Sequence, residues 1–495
     1  MSMLTWLKNI FRSTQPKRAS ACFPAGRLIR ARFDAAVTND ANYRHWANAD
    51  GLSADAASSP HVRRILRNRS RYEVANNSYA RGIVSTLAND VVGTGPRLQM
   101  LTHEAETNRR IEREFANWSA AVRLPEKLRT MRMAQAQDGE AFAVLIDNPA
   151  LDSSVQLDIR LVEAEQVTTP DVLSLKDNQV DGIVFDDFGN PVEYHVLKEH
   201  PGEISLSSGD RYNRIPAEAI IHLFRADRPG QSRGIPEITP ALPLFAQLRR
   251  FTLAVLGAAE TAADFAGVLY TDAPPNGEAD SIEPMDTIEL EARALLTMPG
   301  GWKMGQVKAE QPSTTYGEFK REILNEIARC LNMPYNVAAG NSSGYNYASG
   351  RLDHQTYFKS TRVDQSHIDT VVLDHILAAW LHEAVLVSDL LPLWMRTAPV
   401  PDHQWFWNGQ EHVDPAKEAN AQATRLKSHT TTLAHEYARQ GRDWETELRQ
   451  RGKEVRLMRS LGLSVEESLP EPVHEDREDP EEEEDSDDED VREAA

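Results

Sequence analysis

The chain has 495 residues, 41% hydrophobic and 26% charged, with two cysteines, Cys22 and Cys330. That length holds several units of core, and two cysteines exclude a disulfide framework or a cysteine-built zinc site. The formal charge of −21 is concentrated at one end: residues 466–495 carry 17 acids and two Arg, a net of −15, which leaves −6 for the remainder.

Seven Lys and Arg precede the first acid, Asp34: Lys8, Arg12, Lys17, Arg18, Arg27, Arg30 and Arg32. A near-neutral body is therefore expected between a basic arm (1–33) and an acidic tail (464–495). Both ends are expected to stay disordered, because like-charge runs bury too little apolar surface to offset ordering. Each is either a solubilising end or an interaction arm. No secretory leader is expected from "MSMLTWLKNIFRSTQ", which lacks a continuous apolar stretch. The apolar run Phe251 to Ala259 is too short for a bilayer, so no membrane partner is expected.

Residues 61–91 place Val62, Ile65, Leu66, Tyr72, Val74, Tyr79, Ile83, Val84, Leu87 and Val91 at helical spacing, and "GTGP" at 93–96 stops the pattern. Five Arg between 63 and 71 fit either phosphate contacts or a solvated helix face. A further helix is expected over 104–118. From about 140 to 225 the period becomes that of short strands, with a hairpin turning at Gly189-Asn190. Helices followed by a mostly antiparallel sheet make an α+β region.

After "FRADRPGQSRGIPEITPAL" (224–242), one small-residue helix is expected to run from 236 to about 266. Glu260 and Asp264 share a face on it, with Arg249 close in azimuth. That stripe is either solvated or turned to a polar channel. Residues 268–312 read as a small β-containing insertion. A helix restarts with the capping box Thr315-x-x-Glu318, carries Tyr316, Phe319, Ile323, Ile327 and Cys330 on one face, and stops at Asn332-Met333-Pro334. "GNSSGYNYASG" (340–350) follows: uncharged, rich in amides and hydroxyls, with three Gly. A long helix is expected from about Ser349 to Leu386, then two or three charged amphipathic helices over 414–460.

Catalytic patterns are missing. There is no P-loop, and "GTGPRL" lacks the third glycine of a dinucleotide fingerprint. There is no HExxH, and His367, His375 and His382 are spaced too widely for a helical metal pair, so no metal or cofactor is expected. Cys330 lies on an apolar helix face, a poor place for a nucleophile.

Four stretches carry a resemblance to the portal proteins of tailed bacteriophages, lambda-type family. They are "RNRSRYEVANNSYARGIVSTLANDVVGTG" (67–95), "HLFRADRPGQSRGIP" (222–236), "YGEFKREILNEIARCLNMPYNVAAGNSSGYNYASGR" (316–351) and "VDPAKEANAQATRLKSHTTTLAHEYARQGRDWETELRQ" (413–450). The second is the most specific, through Arg228, Pro229, Gly230, Gln231, Arg233, Gly234 and Pro236. The resemblance implies a non-enzymatic ring of twelve subunits at one vertex of the capsid, passing double-stranded DNA during packaging and ejection. It implies a portal fold: an α/β wing (34–235), stem helices (236–267 and 313–334), a clip (268–312), a tunnel loop (335–350), a long helix and second wing part (351–412), and a helical crown (413–463). It also implies docking of the terminase large subunit and later of head-completion or connector proteins, with major capsid and scaffold proteins as neighbours. The tunnel loop would offer Asn341, Ser342, Ser343, Tyr345, Asn346, Tyr347 and Arg351 to the DNA, and the stem Arg249, Glu260 and Asp264. Two alternatives stand beside it. One is a carboxylate- and metal-dependent nucleic-acid enzyme using the acidic loops 186–187 and 271–286. The other is a virion module whose acidic tail captures basic partners.

Overall fold

A computed structural model describes residues 36–169, 178–203, 211–264, 268–271, 302–305, 316–344, 346–388, 390–392, 395, 399–409 and 415–463. The basic arm, the acidic tail, most of the insertion, Thr315 and Tyr345 lie outside these.

The first helical pattern is two helices, α1 (Pro60–Asn76) and α2 (Ser78–Val92). Pro60 sits in the first turn of α1, where its missing N–H costs nothing. Asn77 separates the pair by leaving the helical region and capping α2 through Tyr79 N and Ala80 N. Gly93 closes α2 at φ +56°. Strand β1 (Arg97–Met100), α3 (Ala105–Ala121) and α4 (Leu124–Asp138) follow.

Strand β2 (Glu140–Asp147) is the centre of a three-stranded antiparallel sheet, between β3 (Leu157–Val162) and β8 (Ile220–Phe224). Its period of two divides the core. Ala141 and Ala143 face the main cluster with the helices, while Phe142 and Val144 face a second cluster with Tyr194 and Val196. That second cluster lies under a four-stranded meander of β4 (Gln179–Val180), β5 (Ile183–Phe185), β6 (Pro191–Leu197) and β7 (Tyr212–Pro216). The expected hairpin is β5–β6. Asp186 shapes its turn by accepting from Phe188 N, Asn190 N and the Asn190 side chain, and Gly189 supplies φ +87°.

The helix expected from 236 begins later. A 3-10 turn at Thr239–Ala241 leads into α5 (Leu242–Asp264). The insertion is joined at its ends by β9 (Val268–Thr271) and β10 (Trp302–Gly305), paired antiparallel. Helix α6 (Tyr316–Arg329) returns and packs on α5 through Phe251, whose ring lies 4.8 Å from Phe319 and 5.7 Å from Tyr316. A short helix α7 (Tyr335–Ala339) precedes the polar loop.

The long helix is interrupted. Helix α8 (Tyr347–Ile368) passes through one π-helical turn, Asp369–Leu373, into α9 (Asp374–Ala384). Such a turn inserts an extra residue and re-aims side chains. Here Asp369 accepts from the Trp407 indole (2.9 Å) and Asp374 from the Trp405 indole (2.8 Å). Trp405 lies in β11 (His403–Phe406) and Trp407 just after it; β11 pairs with β1 more than 300 residues upstream, Arg97 opposite Phe406. Trp118, Phe115 and Trp380 pack at this junction, ring centroids 5.2 and 5.4 Å from Phe115.

Helices α10 (Pro415–Lys427), α11 (Leu433–Arg439) and α12 (Trp444–Ser460) complete the chain. Arg425 links the first to the second through Glu436 (3.0 Å) and also pairs with Glu418 of its own helix (2.9 Å), and Asp443 caps the third. Among the described residues no helix is long and apolar enough to cross a membrane.

Candidate functional site

The segment after β8 is built for packing. Gly230 turns the chain at φ +75°. The Gln231 side chain closes that turn, accepting from Asp227 N (3.0 Å) and Arg228 N (3.2 Å) and donating to Arg233 O (2.9 Å). Arg228 reaches back to Leu52 O at 2.9 Å, and Pro229 is exposed beside it. Gly234 has no room for a side chain: a Cβ would lie 2.0 Å from Gly139 O. Pro236 opens the turn that leads into the 3-10 segment, its carbonyl accepting from Thr239 N at 3.0 Å.

Arg233 is fully buried and uses its whole fork. It donates to Glu140 (2.7 and 2.8 Å), Ala164 O (3.1 Å) and Val167 O (3.0 Å), with its guanidinium 5.2 Å from the Phe142 ring centroid. Glu140, at the start of β2, also accepts from Arg67, from Gly234 N (3.0 Å) and from His222 Nε2 (3.0 Å). Burial alone would push the Glu140 carboxyl up, but Arg233, His222 and Arg67 together hold it well below its ordinary range. Burial pushes His222 the other way, so a neutral imidazole donates one proton to an ionised carboxylate.

The five-arginine cluster requires a correction. Neither phosphate contact nor a solvated face describes Arg63, Arg67 and Arg71. They lie four apart on α1 and point inward: Arg63 to Asp181, Arg67 to Glu140, and Arg71 to Asp138 (2.7 Å) and Glu165 (2.9 Å). Arg64 and Arg69 do lie on the exposed side. A second buried pair joins Arg132 of α4 to Glu237 and to Asp364 of α8, both at 2.9 Å.

The polar loop is shorter than its composition implies. Tyr335–Ala339 is helical and α8 already begins at Tyr347, so 340–346 is the connection. Gly340 ends α7 in the left-handed region, at φ +62°. Asn341 N donates to Asn336 O at 3.0 Å, and the Asn341 side chain folds the next turn by accepting from Ser343 N at 2.9 Å. Asn336 ties the base to α8 through His354 (2.9 Å), and Arg321 of α6 covers the Tyr335 ring at 5.4 Å. Asn341, Ser342, Ser343, Asn346 and Arg351 are exposed, the last one turn into α8. These expected residues are thus exposed in and just after the 340–346 connection.

The stem group is not gathered in the same way. Arg249 is half-buried at the base of α5, its guanidinium 5.8 Å from the Tyr72 ring centroid. Glu260 is exposed eleven residues on, and Asp264 is the last residue of the helix. At 100° per residue the face carrying Arg249 and Glu260 also carries Leu253 and Leu256, exposed at 58% and 54%. The face is mixed, with apolar residues between the charges.

Other chemistry-bearing groups are engaged in packing. His367 and His375 lie 3.1 and 2.7 Å from the carbonyls of Phe224 and Glu218, as hydrogen-bonded helix histidines. Burial pushes the Cys330 thiol up to about 11, away from nucleophilic use. Sequence spacing did not bring together Glu163, Glu165 and His200, whose ligand atoms lie within 4.8 Å of one another. Arg71 already stands 3.4 and 2.9 Å from the two carboxylates and compensates them.

The described residues thus form a mixed body with buried ion pairs, a packed helix pair, α5 and α6, and an exposed neutral loop. The family model of the lambda-family phage portal protein matches residues 40–365, and the chain belongs to that family. A protein of Halomonas phage phiHAP-1 named "Probable portal protein" is 25% identical over 429 residues, covering 80% of this chain and 81% of that one. Among solved structures, the neck of an empty gene transfer agent particle computed with C6 symmetry has a TM-score of 0.46 at 14% identity, over 75% of this chain and 92% of that chain. The neck of a native particle computed with C12 symmetry has a TM-score of 0.42 at 14% identity, over 78% and 94%.

Proposed function

We propose that twelve copies of this portal protein close into a ring at one capsid vertex, through which double-stranded DNA is packaged and ejected. Membership of the portal family supports the role, and the loop at 340–346 is the observation that carries the mechanism. Its described side chains before Arg351 are exposed and uncharged. A conduit must touch DNA without holding it, because phosphate contacts made by Lys and Arg release counterions and bind tightly. Asn341, Ser342, Ser343 and Asn346 exchange weak hydrogen bonds with passing phosphates, independently of base sequence. Tyr345 lies outside the described residues, and Tyr347 opens α8. The glycines at its two turns let the loop adapt to a DNA helix whose symmetry differs from that of the ring.

In this reading α5 and α6 are the stem, and the insertion 268–312 is the clip that docks the terminase large subunit and later the head-completion proteins. The helices after 413 form the crown. The mixed face of α5 packs against the next copy through Leu253 and Leu256, with Glu260 and Asp264 toward the channel end. Electron microscopy of the purified full-length protein tests the ring: closed particles with a pore wide enough for B-form DNA are expected. Monomers and dimers alone, at high concentration and across salts, would sink the proposal. For the loop, Asn341→Ala, Tyr345→Ala and Asn346→Ala combined should keep the ring and impair packaging or retention of DNA. A normal packaged genome length in that variant rules the loop role out. As for the nuclease alternative, Asp186 serves the hairpin turn, and 272–286 lies outside the described residues.

A further inference from the structure

We infer that the acidic C-terminal tail docks on an exposed basic stripe of α12 in the same chain and covers it against other polyanions. Arg449, Lys453 and Arg456 fall at i, i+4 and i+7 and so share one face of that helix. All three are exposed, with Leu457 and Arg459 at the border of the stripe. Arg449 has one partner, Glu445 at 3.6 Å on the solvated surface, which neutralises it weakly. Among the described residues no carboxylate pairs with Lys453, Arg456 or Arg459. The helix buries none of its residues, and Leu457, Leu461 and Leu463 leave apolar surface open at its end. Residues 415–463 as a whole carry ten Lys and Arg against six acids, a net of +4 within a negative chain.

Charge and reach identify the occupant. Thirteen acids fall within residues 475–490, with Leu469 and Val473 in the stretch before them. Helix α12 is about 25 Å long at 1.5 Å per residue. The twelve residues from Leu463 to Glu475 extend up to about 40 Å. The acidic run therefore reaches back over the whole stripe. Tethering holds it there at an effective concentration in the millimolar range. Free DNA is the rival polyanion, and the tethered one wins at ordinary ionic strength. The docking stands on charge and chain length alone. Its consequence, that the crown does not grip passing genome, rests on the portal reading above.

Carbodiimide cross-linking of the full-length protein at low salt tests the contact, because that reagent joins a lysine amine directly to a touching carboxylate. Mass spectrometry should find Lys453 joined to carboxylates of 475–490, and the link should vanish at high salt. A mixture of nitrogen-15-labelled and unlabelled subunits should give links within one label. Links between labels assign the tail to a neighbouring copy and overturn the same-chain proposal. Tail carboxylates joined instead to Lys8 or Lys17 of the basic arm also overturn it. A chain lacking 466–495 should bind a fluorescent duplex about tenfold more tightly than the full chain at low salt. Arg449→Gln, Lys453→Gln and Arg456→Gln combined should remove that gain. Equal affinity with and without the tail overturns the covering role even if the ring assembles normally.

Discussion

The surroundings of Glu140 and the loop at 340–346 are both rich in polar side chains and use them in opposite ways. Around Glu140 of β2 the groups are buried and paired, two arginines and a neutral histidine on one carboxylate, and they come from α1, β8 and the segment before α5. In the loop they are neutral and exposed, and the Asn341 side chain accepts from the loop's own backbone. A buried charge demands one geometry, since any displacement leaves it uncompensated in a low dielectric. An exposed amide demands none, because water replaces a lost partner at little cost. Rigid register and permissive contact thus come from the same atom types, separated by burial and by charge.

The largest effect should follow from breaking the charged side of this contrast. Glu140→Gln keeps the shape and removes the charge, leaving Arg67 and Arg233 facing one another without their common carboxylate. Removing one partner of a buried pair costs about 3–5 kcal/mol. A urea titration should show the midpoint falling with the slope unchanged. A loss below about 1 kcal/mol would mean that the apolar clusters alone fix the sheets against α1.

Where sequence reading succeeded, the signal was local. The β5–β6 hairpin followed from Gly189-Asn190 between apolar runs, and α6 from its apolar stripe and the Pro334 stop. The even spacing of four puts Arg63, Arg67 and Arg71 on one face of the helix. Their partners, however, lie 67 to 118 residues away, so no local pattern distinguished an inward row from a solvated one. The β1–β11 pairing and the π turn depend on contacts across some 300 and 30 residues and leave no local mark. The loop was overestimated because Tyr347, Ala348, Ser349 and Gly350 look like loop residues, yet they form the first turn of α8, with Gly350 N donating to Asn346 O at 3.0 Å. Its polarity and position, which bear on function, were legible; the docking of α12 against the tail could be raised only once α12 was seen to bury nothing.

A smaller effect separates a third kind of site, a half-buried carboxyl that is hydrogen-bonded but has no buried cation. Burial pushes Asp369 up to about 7, against the Trp407 indole, which favours the charged form; the nearby Asp374 adds to the rise. The unfolded value is near 3.9, so the folded state holds this proton more tightly. Its contribution to stability is complete below about pH 4 and is lost as pH rises through about 7. Asp369→Asn retains an acceptor for the indole and removes the titration. Parent and variant should melt together near pH 4. Near pH 8 the variant should be more stable by about 1 kcal/mol after discounting for solvent screening, or ~2–4 °C. A variant less stable at both pH values would show that the ionised carboxylate holds β11 in place.

The smallest effect on the single chain, and a decisive one on assembly, is expected on α5. Leu253 and Leu256 are more than half exposed among the described residues, so Leu253→Ser with Leu256→Ser should change the stability of the single chain by no more than about 0.5 kcal/mol. Covering such a leucine is worth about 1.5–3 kcal/mol, and each copy in a closed ring repeats the contact. The double variant should therefore remain folded by circular dichroism while failing to form rings in electron micrographs. Rings of unchanged size would remove this face from the interface. The stripe shared by Arg249 and Glu260 would then have to be solvated or turned to the channel, and the mixed character of the face would have to be explained by what passes rather than by what packs.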